Sequence, residues 1–351
     1  MRTELLDYDL PDELIAKRPL AERDASRLLV LDRGEIAHRA IRDFPDLLPE
    51  GALLVVNDTR VRRARVFGKR RESGGRVELL LIGRDASREQ SDGREVWQAL
   101  GRSSKPLRPG LFIDAGNLEC QVVERGEEGT LWVAIRASRS VEAVLDEEGR
   151  VPIPPYLGRD DDADDVQRYQ TVYAERTGSV AAPTAGLHLT EALFARMRAR
   201  GIEVGRLELE VGLGTFKPVV ADDLSGHVMH QERFCVGPEL SAKIAAARAR
   251  GAVVVAVGTT VVRALESAAD AEAPGLVKPQ STETRLLIQP GYSFKVVDAL
   301  LTNFHQPKST LLALVAAFAG LDAMHAAYRA AVAAGYRFLS FGDAMWLPRR
   351  A

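Results

Sequence analysis

Val253-Val-Val-Ala-Val-Gly-Thr-Thr-Val-Val-Arg-Ala-Leu-Glu-Ser-Ala-Ala269 decides the fold class. Val253–Val257 is continuously apolar and short, the mark of a strand buried on both faces in the middle of a parallel sheet. It runs through Gly258-Thr-Thr260 into a helix, predicted over Val261–Ala269. Strand, glycine turn and helix in that order make an α/β unit. Amide N–H groups at such a helix start point outward and the helix dipole favours negative charge there, so Thr259 and Thr260 are candidates for an anion or ribose site. Arg263 follows three residues after Thr260 on one helical face. The same residues would also serve as an ordinary capped helix with an exposed arginine.

Outward from this unit the alternation continues. Glu191–Arg200 is predicted as a helix with Thr190 at its N-cap and Gly201 past its end. Arg206–Val211 is predicted as a strand, and Pro238–Arg250 as an Ala-rich helix stopped by Gly251. The last helices are expected near Thr310–Ala319 and Ala323–Ala334. In the N-terminal part a short helix is expected over Asp12–Arg18, with strands at Leu28–Leu31 and Leu53–Val56. The texture differs between Val77 and Ala137, where β-type runs follow one another with turn residues between them: Arg76–Ile82, Glu95–Leu100, Gly110–Ala115, Leu118–Glu124 and Thr130–Ile135. Such spacing without helices predicts a small antiparallel barrel or sandwich. The expected architecture is therefore α/β: a mixed main domain formed by residues 1–60 and 151–351, with a small antiparallel β-barrel inserted at 61–150. Val151-Pro-Ile-Pro-Pro-Tyr156 is a stiff connector, and Asp160–Asp165 is expected to be a solvated loop rather than a metal site.

Composition narrows the function. At 351 residues the chain is long enough for two domains, because single cores rarely grow past roughly 250–300 residues. A formal net charge of −2 means that nucleic-acid contacts must come from local patches. Two cysteines, Cys120 and Cys235, make neither a disulfide framework nor a cysteine-ligated iron–sulfur cluster. The N-terminus lacks an apolar signal core, and the run Leu311–Leu321 is too short to span a bilayer. The expectation is a cytoplasmic chain without a membrane segment. No P-loop, paired-cysteine zinc pattern or HExxH is present. Val211-Gly-Leu-Gly-Thr is not a dinucleotide fingerprint, since Lys217-Pro218 forbids a helix there.

Three Gly/Pro-punctuated polar segments read as parts of one site: Gly178–His188, Val211–Pro218 and Thr302–Thr310. Small residues let backbone come close to a ligand. His188, His227, His230 and His305 are four of the six histidines, and one of them doing acid–base work is a reading that stands beside a purely structural one. Met229-His-Gln-Glu232 could supply a base or a carboxylate facing a cation, or be a surface turn. Arg60–Arg71 carries seven basic residues in twelve: Arg60, Arg62, Arg63, Arg65, Lys69, Arg70 and Arg71. Phosphate binding is the favoured reading, with a protected basic edge strand as the alternative.

Taken together, these segments resemble one family, the S-adenosylmethionine:tRNA ribosyltransferase-isomerases of queuosine biosynthesis. The resemblance runs nearly end to end. It is carried by Asn57-Asp-Thr-Arg-Val61, Pro154-Pro-Tyr156, Tyr169-Gln-Thr-Val-Tyr173, Gly178–His188, Val211–Val219, His227–Glu232, Ala256-Val-Gly-Thr-Thr260, Phe294–Leu300, Thr302–Leu311 and Gly342-Asp-Ala-Met345. Leu189, Ala52, Gln306 and Val261 depart from the family pattern, Ala52 in place of an acid and Val261 in place of a small polar residue, and none of them removes an essential polar group.

The resemblance implies a reaction. The ribosyl part of S-adenosylmethionine, a consumed substrate rather than a bound prosthetic group, is joined to 7-aminomethyl-7-deazaguanine at the tRNA wobble position. Rearrangement gives epoxyqueuosine, and adenine and methionine leave. The sulfonium acidifies the 5′-carbon, so a base is required, with His188, Glu232 and His305 as candidates in that order. Pro183, Thr184, Ala185, Gly186, Gly212, Gly214, Thr215, Phe216, His230, Thr259, Thr260, Arg263 and Asn303 would bind substrate, and Phe216 or Phe304 could face the sulfonium. The basic run would grip the anticodon arm of tRNA. No metal is implied, and a monomer is expected. A methyltransferase and a tRNA-binding protein without chemistry are the rival readings.

Overall fold

The computed structural model describes residues 1–348 apart from 89, 91, 213–218 and 220. Its main body is a nine-stranded sheet in the order Gln280–Thr284, Glu232–Val236, Glu203–Leu209, Leu53–Asn57, Val254–Val257, Ala299–Asn303, Ala344–Leu347, Arg27–Asp32, Glu35–Ala40. The four strands from Glu203–Leu209 to Ala299–Asn303 run parallel, and the outer neighbours on one side are antiparallel. Val254–Val257 is the middle strand that its apolar run predicts, and every residue of it is buried. Alternate residues feed two separate cores. Leu53, Val55, Val254 and Ala256 pack under helices Pro238–Ala249, Thr259–Ser267, Thr310–Ala319 and Leu321–Ala333. Leu54, Val56, Val255 and Val257 pack against helix Glu191–Ala199 and Phe44 on the other face.

The predicted caps form. The Thr190 hydroxyl accepts the Leu193 N–H at 3.3 Å, and Gly201 past the helix end has φ +70°. Some predictions change. Asp12–Arg18 yields only a single 3-10 turn, Asp12–Leu14, because Pro11 and Pro19 leave it no room to propagate. Glu35–Ala40, Gln280–Thr284 and Ala299–Asn303 are strands that the sequence reading does not pick out; the first two lie at sheet edges with exposed faces, where hydrophobic alternation is weak. No single helix among the described residues is long and apolar enough to cross a membrane, and the apolar pair Thr310–Ala319 and Leu321–Ala333 is bent by 113°.

Between the sheet strands Leu53–Asn57 and Glu203–Leu209 the chain forms a closed six-stranded antiparallel barrel: Thr130–Ala137, Glu95–Ser103, Arg76–Arg84, Arg65–Arg70, Phe112–Ala115 and Leu118–Arg125. Helix Val141–Glu148 plugs it with Val141, Val144 and Leu145. Five of these strands are those the turn spacing predicts. The sixth, Arg65–Arg70, lies inside the basic run, where charge conceals the alternation. Closure leaves it no free edge, so edge protection is not the reason for its charges. Reciprocal backbone bonds between Arg65 and Arg150 pin the barrel's entry to its exit.

The acidic run is not a simple solvated loop. Asp161 and Asp165 are buried, the first paired with Arg150 and Arg65, the second with Arg159. A buried carboxylate requires such a partner, and the pairs tie the connector to the barrel.

Candidate active site

In an open α/β sheet, ligands bind beyond the carboxyl ends of parallel strands. Here those ends are Asn57, Leu209, Val257 and Asn303, and a cleft of about 670 Å³ opens above the last three. Three loops build its walls. Ala182, Pro183, Thr184 and Ala185 come from the first predicted segment, Gly258, Thr259 and Thr260 from the strand–helix turn, and Thr302–Gln306 from the third. Val211 supplies one residue of the second segment. Gly214, Thr215 and Phe216 lie outside the described residues.

Gly258 sits at φ +94°, a conformation that strongly favours glycine, and turns the chain so that the helix begins at the cleft. The Thr260 hydroxyl and the Asn303 carbonyl oxygen are buried in this wall with no protein partner among the described residues. Groups of this kind are costly unless a ligand or water meets them, which is why they mark a binding surface.

Of the three candidate bases, His305 lines the cleft. Its ring Nε2 meets Thr302 Oγ1 at 2.9 Å, and its backbone is fixed by the hydroxyls of Tyr328 and Tyr8. His188 does not line it. It stands one layer back, Nε2 at 3.4 Å from Asn303 Nδ2, bordering a smaller cavity on the far side. Burial pushes the His305 ring down to about 3. Burial, then the charges of Arg23 and Arg337, lowers His188 to about 4. Both are neutral imidazoles at neutral pH.

Neutral burial has a consequence for stability. An unfolded histidine titrates near 6.5. Below that pH the unfolded chain takes up protons that the folded chain refuses, so stability is lost as pH falls from about 6.5 toward 4 and 3. Between pH 7 and 5 each histidine is expected to contribute a loss of roughly 2 kcal/mol. Asp58 and Glu210, whose carboxyls burial raises, act in the opposite direction. The check is therefore a difference: urea unfolding of wild type and His188→Asn at both pH values, with the variant showing the shallower fall. Parallel curves would mean that His188 is protonated in the native state.

Glu232 is buried and ion-paired with Arg263, and its other oxygen accepts the Gly212 N–H at 3.3 Å. Arg263 also donates to the Leu286 carbonyl at 3.0 Å. The arginine shares a helix with Thr260 but is turned away from the cleft into this pair, so the expected contact to ribose or carboxylate is replaced by Glu232. His230 is exposed in the loop before Glu232 and lies outside the cleft. Gly186 is a packing glycine, because a Cβ there would collide with the Tyr173 hydroxyl. Phe304 has no exposed surface; its ring packs at 4.9–5.6 Å from Phe338, Tyr328 and Tyr336, so it is not free to stack on a sulfonium.

The basic run is mostly engaged internally. Arg62 is 7% exposed, bound to Glu142 at 2.7 Å and to the carbonyls of Ile82 and Gly178. Arg63 holds Gly149 and Asp146 carbonyls, Arg65 holds Glu78 and Asp160, Arg70 holds Ser103, and Arg71 holds Asp114 and Glu119. Arg60 and Lys69 are exposed. Sequence spacing identifies the charge but not the carboxylates that face it across the barrel. Tyr156, Gln306, Ser309 and Ser340 also line the cleft and are absent from the sequence-derived set. Tyr156 and Ser340 come from opposite ends of the second main-domain segment and meet by a hydroxyl–hydroxyl bond.

A loop-built cleft at the ends of parallel strands, with unpaired polar atoms in its wall and a barrel inserted beside the sheet, defines an α/β enzyme. Residues 3–347 match the family described as queuosine biosynthesis protein, and the chain belongs to that family. The S-adenosylmethionine:tRNA ribosyltransferase-isomerase of Sorangium cellulosum is 56% identical, with 98% of both chains covered. That of Anaeromyxobacter dehalogenans is 51% identical over 100% of both. The crystal structure of an S-adenosylmethionine tRNA ribosyltransferase from Thermotoga maritima superposes with a TM-score of 0.55 at 34% identity, covering 98% of this chain and 99% of the other. The chain is thus a transferase-isomerase of queuosine biosynthesis.

Proposed function

We propose that this enzyme transfers and isomerises the ribosyl moiety of S-adenosylmethionine onto 7-aminomethyl-7-deazaguanine at the wobble position of tRNA, releasing adenine and methionine. The observation that carries the reading is the full-length match to relatives of that name, joined to a cleft whose wall offers Thr260 Oγ1 and Asn303 Oδ1 to a polar ligand. Thr259, Thr260 and Gly258 would hold the nucleoside's hydroxyls at the helix start, and Pro183–Ala185 would pack against it. His305, neutral and inside the cleft, takes first place as the group that meets the reacting atoms. His188 orients Asn303 from behind, and Glu232 anchors Gly212 through its pair with Arg263. The base must leave the anticodon-loop stack to reach this depth.

The test is to incubate the protein with S-adenosylmethionine and tRNA bearing 7-aminomethyl-7-deazaguanine, and to assay free adenine and the mass of the wobble nucleoside. Adenine release with the mass of an epoxycyclopentane adduct is expected. S-adenosylhomocysteine in place of adenine would sink the reading in favour of a methyltransferase, and unchanged tRNA that binds tightly would favour a binding protein.

From the basic run, Arg60 and Lys69 would reach the tRNA backbone. Arg60→Ala is expected to weaken tRNA binding and reduce the log–log salt slope by about 1 without changing Tm. Arg62→Ala is expected to do the reverse. It would destabilise the fold by roughly 3 kcal/mol, at the low end for a broken buried pair because Glu142 reaches solvent, and leave the affinity of the folded protein unchanged. Equal effects of both variants on binding would restore the whole run as one contact surface.

A further inference from the structure

We propose that the small cavity behind His188 is an oxyanion pocket that holds a phosphodiester of the RNA strand whose nucleotide occupies the cleft; this rests on the reading above. The cavity, about 280 Å³, is bordered by Arg23, Arg168, His188, Ser340, Phe341 and Gly342 among others. It is smaller than the cleft. Two guanidinium groups face it. Arg23 donates to the carbonyls of Leu187 at 3.1 Å and Gln167 at 2.9 Å. Arg168 donates to those of Ala21 at 3.2 Å and Leu20 at 2.5 Å. Backbone carbonyls orient these side chains but do not neutralise them. Among the described residues no carboxylate lies within ion-pair distance of either, whereas Arg18, Arg65 and Arg159 each have one.

Arg168 Nε is buried without an acceptor, and so is Nη1 of neighbouring Arg337. The nearby carboxylate, Asp343, is committed to Arg27 and to backbone N–H groups of Arg27 and Arg337. Like charges held together in a half-buried place are mutually destabilising, and the Arg23 pKa is lowered by burial and by Arg168. A bound anion removes that repulsion, and paired guanidinium forks match a phosphate's oxygens.

The pocket adjoins the cleft. Ser340 borders both, and His188 Nε2 stands 3.4 Å from Asn303 in the cleft wall. A nucleotide placed in the cleft therefore brings its flanking phosphate to this wall. The carboxylate of the sulfonium substrate is the competing oxyanion.

Two measurements decide. Inorganic phosphate is expected to raise the Tm of the full chain by a few degrees, and Arg168→Gln and Arg23→Gln are expected to lose that increment whatever their own Tm, with Arg23→Lys keeping part of it. No increment in the wild type overturns the pocket. In steady state Arg168→Gln is expected to raise KM for tRNA about tenfold or more while KM for S-adenosylmethionine stays unchanged; one phosphate contact at roughly 1.4 kcal/mol or more is of that size. A raised KM for S-adenosylmethionine instead assigns the pocket to the carboxylate and overturns the proposal. A phosphate increment in a protein that releases no adenine places the failure in the reaction assignment and not in the pocket.

Discussion

His305→Gln is expected to lower kcat for adenine release by about 10²–10⁴-fold, the range for loss of a positioned acid–base group. The substitution removes the ring from the cleft and keeps the backbone contacts. Tyr8 and Tyr328 bond the main chain of residue 305, not its side chain, so the Thr302–Thr310 turn should hold its shape. Because burial lowers the ring to about 3, its ionisation should leave no limb in the pH–rate profile between pH 5 and 8. Single-turnover kinetics with saturating substrates provide the measurement, with Tm as the control for folding. Near-normal turnover would remove His305 from the chemistry and leave it a buried member of the Thr302 hydrogen bond. His188→Asn, acting through Asn303, should raise KM for S-adenosylmethionine more than it lowers kcat.

The largest stability effect is expected at the Arg263–Glu232 pair. Both side chains are at most 7% exposed, so removing one charge strands the other in a low-dielectric interior. Arg263→Met should cost about 3–5 kcal/mol in urea unfolding. The double variant Arg263→Met/Glu232→Gln should recover a substantial part of that loss, since neither partner is then a buried lone charge. A cost under about 1 kcal/mol for the single variant would show that water reaches Glu232 and that the carboxylate is free for catalysis. That outcome would promote Glu232 over His305. The pair also matters for the site, because Glu232 accepts the Gly212 N–H and so holds the chain just beyond Val211, which lines the cleft.

Local sequence carried a good deal of this. The run Val253–Val257 reads as a central strand because all its side chains are apolar and short, and no other environment suits them. The helix start at Thr190 is legible because its hydroxyl can cap an N–H three residues on. Five barrel strands announce themselves by turn residues between β-type runs. The Gly178–His188 and Thr302–Thr310 segments were legible as parts of the cleft too, and of Val211–Pro218 the described residues place Val211 there. The roles of charged residues were not. In sequence, Arg62 and Arg60 are alike; in space one is buried against Glu142 and the other exposed.

Sequence by itself determined the α/β class, the inserted β-barrel, two of the loops that form the cleft and, through its motifs, the family. These follow from short-range physics: side-chain period, capping, turn chemistry and the spacing of residues along one chain. Tertiary structure alone decided which histidine enters the cleft, that Arg263 turns to Glu232, and that Ser340 and Tyr156 join the wall. It also decided that Arg23 and Arg168, far apart in the chain, face one cavity without a carboxylate. Those outcomes depend on burial and on partners 31 to 184 residues away along the chain. Desolvation and pairing energies of several kcal/mol, set by where the sheet brings its strand ends together, override anything a local pattern can specify.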